Sequence, residues 1–169
     1  GTYLPTRKPF NGCTEMTTDN TRDLTFHLPD GTTLLGGYPT GGGARNVAAN
    51  PTTLSGDIGT VGDASDNAFH VVLASAPSSG GIGVTIDGFT ITGGRANGSS
   101  NITVNGNTMW RNYGGGIYTD GGTNTLSNNT LSGNSASNGG GIYTYGGTNT
   151  IINKNISENK NKNNGAKNK

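Results

Sequence analysis

The sequence predicts an all-β fold, a parallel β-solenoid in which short strands are wound into stacked coils. A self-repeat carries this prediction, because GGGIYT at 114–119 returns as GGGIYT at 139–144, and 142 − 117 gives a period of 25 residues. Within each repeat, short runs rich in Ile, Leu, Tyr and Thr are separated by Gly, Asn and Ser, which is typical of strands and turns. Such a unit cannot bury its own apolar residues, so it must stack on a neighbour of the same shape.

The composition of the 169-residue chain agrees with stacked coils. The chain has 31 glycines, but only 29% of its residues are hydrophobic and 12% are charged. An ordinary globule needs more apolar residues and a disordered chain carries more net charge, whereas a narrow solenoid core needs few apolar residues per coil. The net charge of +1 argues against nucleic-acid binding. We expect no membrane insertion, because no apolar run reaches the length of about 18 residues that a spanning helix needs.

Alternation along each strand predicts columns of inward aliphatic side chains. Ile117 should lie over Ile142 at about 4.8 Å, the spacing of paired strands. A phrase at 85–91 also aligns without gaps with 103–109 and 125–131, at offsets of 18 and 22 residues, so we expect coils of roughly 18–25 residues. The predicted columns contain Ile86, Ile91, Val104, Met109, Ile117, Leu126, Leu131, Ile142, Ile151 and Ile156.

Asparagine recurs at one turn of each predicted coil, at Asn112, Asn134 and Asn159. Turned inward, these side chains would hydrogen-bond one another and the backbone of adjacent coils as an amide ladder. Facing solvent, they would serve as turn residues that tolerate the left-handed conformation. The sequence leaves both interpretations open.

The chain divides into three predicted parts. Residues 1–24 form an irregular N-terminal segment that caps the first coil, 25–159 form the β-helix with loops at 38–52 and 59–66, and 160–169 are a Lys/Asn-rich tail or the start of a further coil. Cys13 is the only cysteine, so it is either an inert loop thiol or pairs with another chain. Because the sequence begins at Gly1 without a Met or a signal peptide, we expect a processed product or a fragment.

The repeats resemble those of a known family. GGGIY (114–118 and 139–143) alternates with LSGN (131–134) and ISEN (156–159), which is similar to the GGAI and FxxN repeats of polymorphic outer-membrane proteins. The upstream stretches GTYLP, DGTTLLGGY and DGFTITGG look like the opening coils of large secreted bacterial β-helix proteins. The resemblance covers most of residues 1–159 and implies a right-handed parallel β-helix outside the cell or on a bacterial surface, often in adhesion. The chain departs from the pattern in having Gly for Ala in GGAI and Leu, Met or Ile for Phe in FxxN.

Five aromatic residues are the candidate binding residues. Trp110 follows inward Met109, so alternation directs its indole outward. It is expected to form an aromatic strip able to stack on sugar rings or on another protein. The alternative is that the outward tyrosines stack only on one another. The strip contains Trp110, Tyr113, Tyr118, Tyr143 and Tyr145.

Catalytic residues are not predicted. A glycosidase needs two carboxyl groups across a cleft, but Asp87, Asp120 and Glu158 do not recur at a shared coil offset. His27 and His70 lie in separate strands, and no serine or cysteine stands in a nucleophile motif. A polysaccharide lyase or glycoside hydrolase remains the alternative function.

A calcium site is the only cofactor that the sequence suggests. Asp57, Asp63 and Asp66 cluster in one loop, where they would bind Ca²⁺ through oxygen ligands or, alternatively, form turns.

Threonines at the coil spacing suggest a third function, ice binding, although two repeats and variable loops make a poor flat lattice. These threonines are Thr119, Thr123, Thr125, Thr144, Thr148 and Thr150.

Charge is distributed unevenly along the chain. Residues 151–169 hold five lysines and one acid, a net charge of +4, while residues 1–150 hold six basic and nine acidic groups, a net charge of −3. Opposite charges at the two ends favour head-to-tail association into filaments, whereas lysines at an open edge would oppose it. We therefore expect a non-catalytic scaffold outside the cell or on a bacterial surface, either adhesin-like with a glycan or cell-surface ligand, or a subunit of an extracellular fibre.

Overall fold

Short strands build the protein. The computed structural model describes residues 1–76, 81–152 and 155–162, and the helix in this part of the chain is a single 3-10 turn, Thr21–Asp23. The strands in chain order are β1 (Thr2–Tyr3), β2 (Phe10–Asn11), β3 (Thr14–Glu15), β4 (Phe26–Leu28), β5 (Thr33–Leu35), β6 (Thr52–Ser55), β7 (Val72–Ser75), β8 (Thr85–Asp87), β9 (Phe89–Thr92), β10 (Arg95–Ala96), β11 (Asn101–Val104), β12 (Asn107–Trp110), β13 (Ile117–Asp120), β14 (Thr123–Ser127), β15 (Thr130–Ser132), β16 (Ser135–Ala136), β17 (Ile142–Tyr145), β18 (Thr148–Ile152), β19 (Asn155–Ser157) and β20 (Lys160–Asn161).

The strands stack into parallel walls that the chain visits in a fixed order. Wall 1 contains β4, β7, β13 and β17, wall 2 contains β5, β8, β14 and β18, and wall 3 contains β1, β6, β9, β15 and β19. A short ladder of β10, β16 and β20 follows wall 3. All pairings within these walls are parallel, so the predicted all-β parallel β-helix is confirmed.

Aliphatic side chains form columns between the walls. In wall 1, Ile117 pairs with Ile142 as predicted, and it also pairs with Val72 on the preceding coil. The column of wall 2 runs through Ile86, Leu126 and Ile151, and that of wall 3 through Ile91, Leu131 and Ile156. These residues belong to one core cluster or pack against it. Registered stacking lets a thin core bury its apolar residues with few of them per coil.

The glycines before wall 1 permit the coils to approach closely. Gly114 and Gly139 have φ of +61° and +63°, in the left-handed region that glycine adopts without strain. A Cβ on Gly116 would lie 2.4 Å from the carbonyl oxygen of Gly141 on the next coil. The GGG half of the repeat therefore allows two coils to stack at a corner where a side chain would separate them.

The predicted coil at 103–109 is wrong. Wall 2 pairs Ile86 directly with Leu126, and hydrogen bonds between these two coils join residues that are 40 apart. Residues between them leave the helix as an antiparallel hairpin of β11 and β12, in which Val104 pairs with Asn107. Val104 and Met109 are buried, but in a second cluster outside wall 1. The 25-residue spacing holds only for the last two coils, because earlier coils carry insertions.

The turn sequence of the hairpin is compatible with a tight two-residue turn. Asn105 and Gly106 have φ of +51° and +84°, the geometry of a type I′ turn, and Asn-Gly is the dipeptide that such turns favour. Thr103 to Met109 matches the solenoid phrase in residue type, but Asp87-Gly88 and Ser127-Asn128 turn a solenoid corner at the same place. Local sequence alone does not separate these two outcomes.

Buried asparagines line the corners of the third coil, and one pair is the predicted amide ladder. Asn134 donates to Oδ1 of Asn159 at 3.0 Å. Asn124 donates to Oδ1 of Asn149 at 2.9 Å, and Asn129 accepts the backbone N–H of Phe89 at 3.0 Å. Asn112 makes its hydrogen bonds to the next coil through its backbone carbonyl, so its assignment to the ladder is wrong. The reason is that Asn112 follows the hairpin and not a strand of wall 3.

The N-terminal segment differs from the predicted cap. Its first strand, β1, is already part of wall 3, where Thr2 pairs with Thr53, so the helix starts before residue 25. The following β2–β3 hairpin contributes Met16 to the cluster outside wall 1. The segment therefore covers the side of the helix, because the outer face of wall 1 is apolar there. Strand β20 lies within the predicted 160–169 tail, and 163–169 lie outside the described residues.

Candidate ligand-binding cleft

A cleft of about 500 Å³ lies between the β11–β12 hairpin and the outer face of wall 1. It contains all five aromatic residues of the predicted strip, brought from the hairpin, from the segment after it and from two coils. Its lining residues are Gly106, Asn107, Thr108, Trp110, Tyr113, Tyr118, Asp120, Tyr143 and Tyr145. The insertion thus creates a concave site on a helix whose walls are otherwise regular.

The rings form a connected series. The ring centroids of Trp110 and Tyr113 are 6.2 Å apart, those of Tyr113 and Tyr143 are 4.7 Å apart, and those of Tyr143 and Tyr118 are 5.2 Å apart. Trp110 and Tyr145 are the exposed members, at 44% and 62%. The tilted and edge-on orientations are those that aromatic pairs favour.

Tyr118 was expected on the exposed outer face, and this expectation is wrong. The side chain does point outward from wall 1, in register with Leu73 and Tyr143, but it is only 1% exposed. The hairpin covers it, and its hydroxyl donates to the carbonyl of Thr108 at 3.4 Å. Burial raises the pKa of the Tyr118 phenol. Tyr118 therefore forms the floor of the cleft and stays protonated at neutral pH.

A buried ion pair holds the hairpin against the helix. Nε and Nη2 of Arg111, just after β12, donate to the two carboxylate oxygens of Asp23 at 2.8 Å and 2.6 Å. Both residues are more than nine-tenths buried. The hydrogen bonds to Asp23 raise the pKa of Arg111. At the tip, Asn105 donates its backbone N–H to Oδ1 of Asn11 at 3.1 Å. These contacts fix the hairpin side of the cleft to the N-terminal segment.

The cleft contains one carboxylate. Asp120 ends β13 and is in register with Tyr145 on the next coil. Burial raises the pKa of its carboxyl group. No hydrogen bond or ion pair to this carboxylate exists in the described part of the chain. Sequence reasoning considered Asp120 only as a catalytic acid, because its place between tyrosines depends on the register of two coils.

The candidate calcium ligands form turns. Asp57 accepts the backbone N–H of Gly62, Asp63 that of Ser65, and Asp66 that of Thr60, at distances of 2.7 to 3.0 Å. The hydrogen bonds from Ser65 lower the pKa of Asp63. Residues 1–76, 81–152 and 155–162 contain no group of three or more His, Cys, Asp or Glu that could hold a metal ion. The turn interpretation accounts for the three carboxylates.

The other residues with reactive side chains do not line the cleft, and most of them already hydrogen-bond to neighbouring groups. Asp87 pairs with Arg45 and accepts hydrogen bonds from Ser127 and Asn128. His27 accepts the backbone N–H of Phe10 through Nδ1 at 3.1 Å. Nδ1 of His70 lies 3.0 Å from the carbonyl of Gly114, and burial lowers the pKa of this imidazole to about 4. Cys13 is exposed and unpaired in the described structure.

The threonine rows are in register, as their spacing predicts, but do not form one surface. Thr119 pairs with Thr144, and Thr125 with Thr150. Thr119 is only 1% exposed because alternation turns it into the helix, so it cannot contact ice. The row with Thr125 and Thr150 extends back through Thr85 to Thr33 on wall 2. Another row of four, Thr2, Thr53, Thr90 and Thr130, lies on wall 3 and was not predicted, because its members are 51, 37 and 40 residues apart.

Comparison with known proteins identifies the fold family. A family model described as "Right handed beta helix region" matches residues 63–168, which include the last three coils and the hairpin. Searches of curated proteins and of solved structures returned no match. In the described part of the chain, no helix has the length and apolarity needed to cross a membrane. The parallel walls, the registered core and this match lead to one conclusion: the chain belongs to the right-handed β-helix family.

Proposed function

We propose that the protein is a non-catalytic β-helix, extracellular or on a bacterial cell surface, that binds glycans through its aromatic cleft as an adhesin does. The observation that carries this proposal is the set of five aromatic residues around a cleft of about 500 Å³. Sugar rings have apolar C–H faces that stack on aromatic rings. The volume is within the range of small-ligand sites.

The polar groups of the cleft support a glycan over a purely apolar ligand. Asn107 and Thr108 lie at its edge, beside half-exposed Trp110. Amide, hydroxyl and phenol groups bind sugar hydroxyls, while the rings supply the contact area. The location is inferred from the resemblance of the GGGIY and LSGN repeats to polymorphic outer-membrane proteins, which is a finer assignment than the family match.

Binding is favoured over hydrolysis because the cleft offers a single carboxylate. A glycosidase needs two carboxyl groups on either side of the scissile bond, and Asp120 is the one acid among the described lining residues. Asp87 is neutralised by Arg45 elsewhere. The enzymatic alternative predicts release of product from a polysaccharide panel and loss of that activity in Asp120→Asn.

The fluorescence of Trp110 tests the proposal directly. Trp110 is the only tryptophan in the sequence, so its emission reports on the cleft alone. We expect a member of a neutral and charged oligosaccharide panel to shift or quench this emission in a saturable manner. In Trp110→Ala, calorimetry should show affinity for that ligand reduced roughly tenfold or more, as for an aromatic anchor in a binding site.

Tyr38→Ala is the matched control. Tyr38 is an exposed aromatic at 50% and does not line the cleft, so its removal should leave glycan affinity unchanged. Equal affinity in wild type and Trp110→Ala, or the absence of any ligand in the panel, would contradict the proposal.

A second form of the scaffold function is head-to-tail assembly into a fibre. It is supported by the ends of the walls, since β5 and β18 are edge strands of wall 2 within the described residues. Open strand edges pair readily with other strands. Electron microscopy of the purified chain should then show polymers that lengthen along the helix axis, and monodisperse monomers at high concentration would exclude this form.

A further inference from the structure

Asp120 is the unusual group of the cleft, because it is half-buried beside aromatic rings without a compensating charge. The ion pairs of the described residues are Arg7–Glu15, Arg45–Asp87, Arg111–Asp19 and Arg111–Asp23. Asp120 takes part in none of them. An ionised carboxylate that loses hydration without gaining a partner is costly, so a ligand that supplies a positive charge would offset this cost.

Asp87 shows how the same fold stabilises a carboxylate that is more deeply buried than Asp120. It is 9% exposed, and Arg45, Ser127 and Asn128 all donate to it. Its pKa is lowered, since these hydrogen bonds and the Arg45 charge outweigh burial, whereas burial alone raises the pKa of Asp120. Among the described residues, no side chain donates to Asp120 in the way that Arg45, Ser127 and Asn128 donate to Asp87.

The aromatic rings around Asp120 also favour a positively charged ligand. The faces of aromatic rings carry negative electrostatic potential, which attracts organic cations within about 6 Å of the ring centre. The ring centroid of Tyr143 lies 4.7 Å from that of Tyr113 and 5.2 Å from that of Tyr118, and these three rings line the cleft together with Asp120. No Lys, Arg or His lines the cleft among the described residues. An anionic ligand would therefore be disfavoured.

We propose that the cleft selects ligands that carry an organic ammonium group, with Asp120 as the counter-charge and the Trp110, Tyr113 and Tyr143 rings around the cation. This inference rests on the proposed glycan-binding function and specifies its ligand class, a sugar with a free amino group. A quaternary ammonium substituent on a glycan presents the same chemistry, and the test separates the two sources.

The experiment compares ligands of the same length that differ in whether their amino groups are free or acetylated. Trp110 fluorescence is titrated with glucosamine oligomers, with N-acetylglucosamine oligomers of the same length, and with choline, near neutral pH at fixed salt. We expect the free amine to bind at least about tenfold more tightly than its acetylated counterpart, from combined ring and carboxylate attraction. Asp120→Asn, which keeps the side-chain shape, should remove this preference and leave the acetylated ligand bound equally well.

Glu158→Gln is the matched control, because Glu158 is an exposed carboxylate that lies away from the cleft. It should keep the preference for the amine. Tight choline binding with no preference between the two oligomers, lost in Asp120→Asn, would support ammonium selection and assign the source to a quaternary substituent.

Three outcomes overturn the inference, and they differ in what they mean for the proposed function. Equal binding of amine and acetylated oligomers, with no choline binding, leaves glycan binding intact and refutes cation selection. Absence of binding by all three ligands and by the neutral oligosaccharide panel refutes both. A preference for the amine that persists in Asp120→Asn would assign the attraction to other charges and also overturn the inference.

Discussion

The side-chain amide of Asn134 donates a hydrogen bond to Oδ1 of Asn159 on the following coil, at 3.0 Å. Its own Oδ1 accepts the backbone N–H of Gly94 on the preceding coil at 2.9 Å, and its Nδ2 also contacts the carbonyl of Ile91 at 2.9 Å. One asparagine, 1% exposed, thus satisfies polar groups on three coils. The aliphatic columns cannot hydrogen-bond the backbone groups at the corners of the coils. The side-chain amide of the buried asparagine supplies those hydrogen bonds.

Replacement of Asn134 by Ala should therefore lower the free energy of unfolding by about 2–3 kcal/mol, since the buried N–H of Gly94 loses its acceptor. Urea unfolding followed by circular dichroism measures this change. Asn112→Ala is the control, because the Asn112 side chain makes no ladder hydrogen bond in the described structure, and it should change stability by less than about 0.5 kcal/mol. Equal losses in the two variants would refute the distinction.

Loss of Arg111 should destabilise the protein strongly. Arg111→Met leaves Asp23 buried at 3% exposure without its bidentate partner, and breaking a buried pair costs about 3–5 kcal/mol. Arg7→Met removes an exposed pair, in which the side chains of Arg7 and Glu15 are 68% and 36% exposed, and should cost less than about 1 kcal/mol. Chemical unfolding of both variants compares them, and a small loss in Arg111→Met would show that the hairpin does not depend on this pair.

Replacing Gly106 by alanine should introduce backbone strain at the turn of the β11–β12 hairpin and leave the other turns unchanged. Gly106 and Gly146 both have positive φ, +84° and +65°, and a Cβ on either would meet no atom within 4 Å. Alanine at each position should cost about 1–2 kcal/mol through backbone strain alone. Only Gly106→Ala should speed hydrogen exchange in β11 and β12 and change the Trp110 emission, because Gly146 lies in the turn between β17 and β18. The same exchange rates in both variants would contradict this assignment.

Stability should fall in mild acid because of His70. Burial holds its folded-state pKa at about 4, against 6.5 in the unfolded chain, so the unfolded state binds more protons between these values. This contribution is complete above pH 6.5 and is lost as the pH falls towards 4, by roughly 3 kcal/mol at most. Unfolding measured across this range should show a flatter profile for His70→Gln than for wild type. His27→Gln, at a less buried imidazole whose pKa burial also lowers, should flatten the profile less.

Much of the fold could be predicted from the sequence, because the repeat is visible within a short stretch and indicates parallel coils that stack in register. The pairings of Ile117 with Ile142, Leu126 with Ile151 and Leu131 with Ile156 were all predicted from one offset, and the structure has them in register. The aromatic strip was predicted residue by residue, but its shape was not. Tyr118 was expected to be exposed because alternation gives the direction of a side chain and not what later covers it.

The sequence alone is enough to predict that the chain winds into parallel coils, since strand-length apolar runs, glycine corners and a repeated period favour the stacking of so few apolar residues. Where the chain leaves those coils depends on its tertiary contacts. Residues 103–109 match the solenoid phrase, yet they form a hairpin, because Ile86 finds its partner in Leu126 and leaves no place between them. The hairpin therefore depends on contacts between residues that are 40 apart in the chain. The same hairpin helps to place Asp120 and five aromatic residues around one cleft.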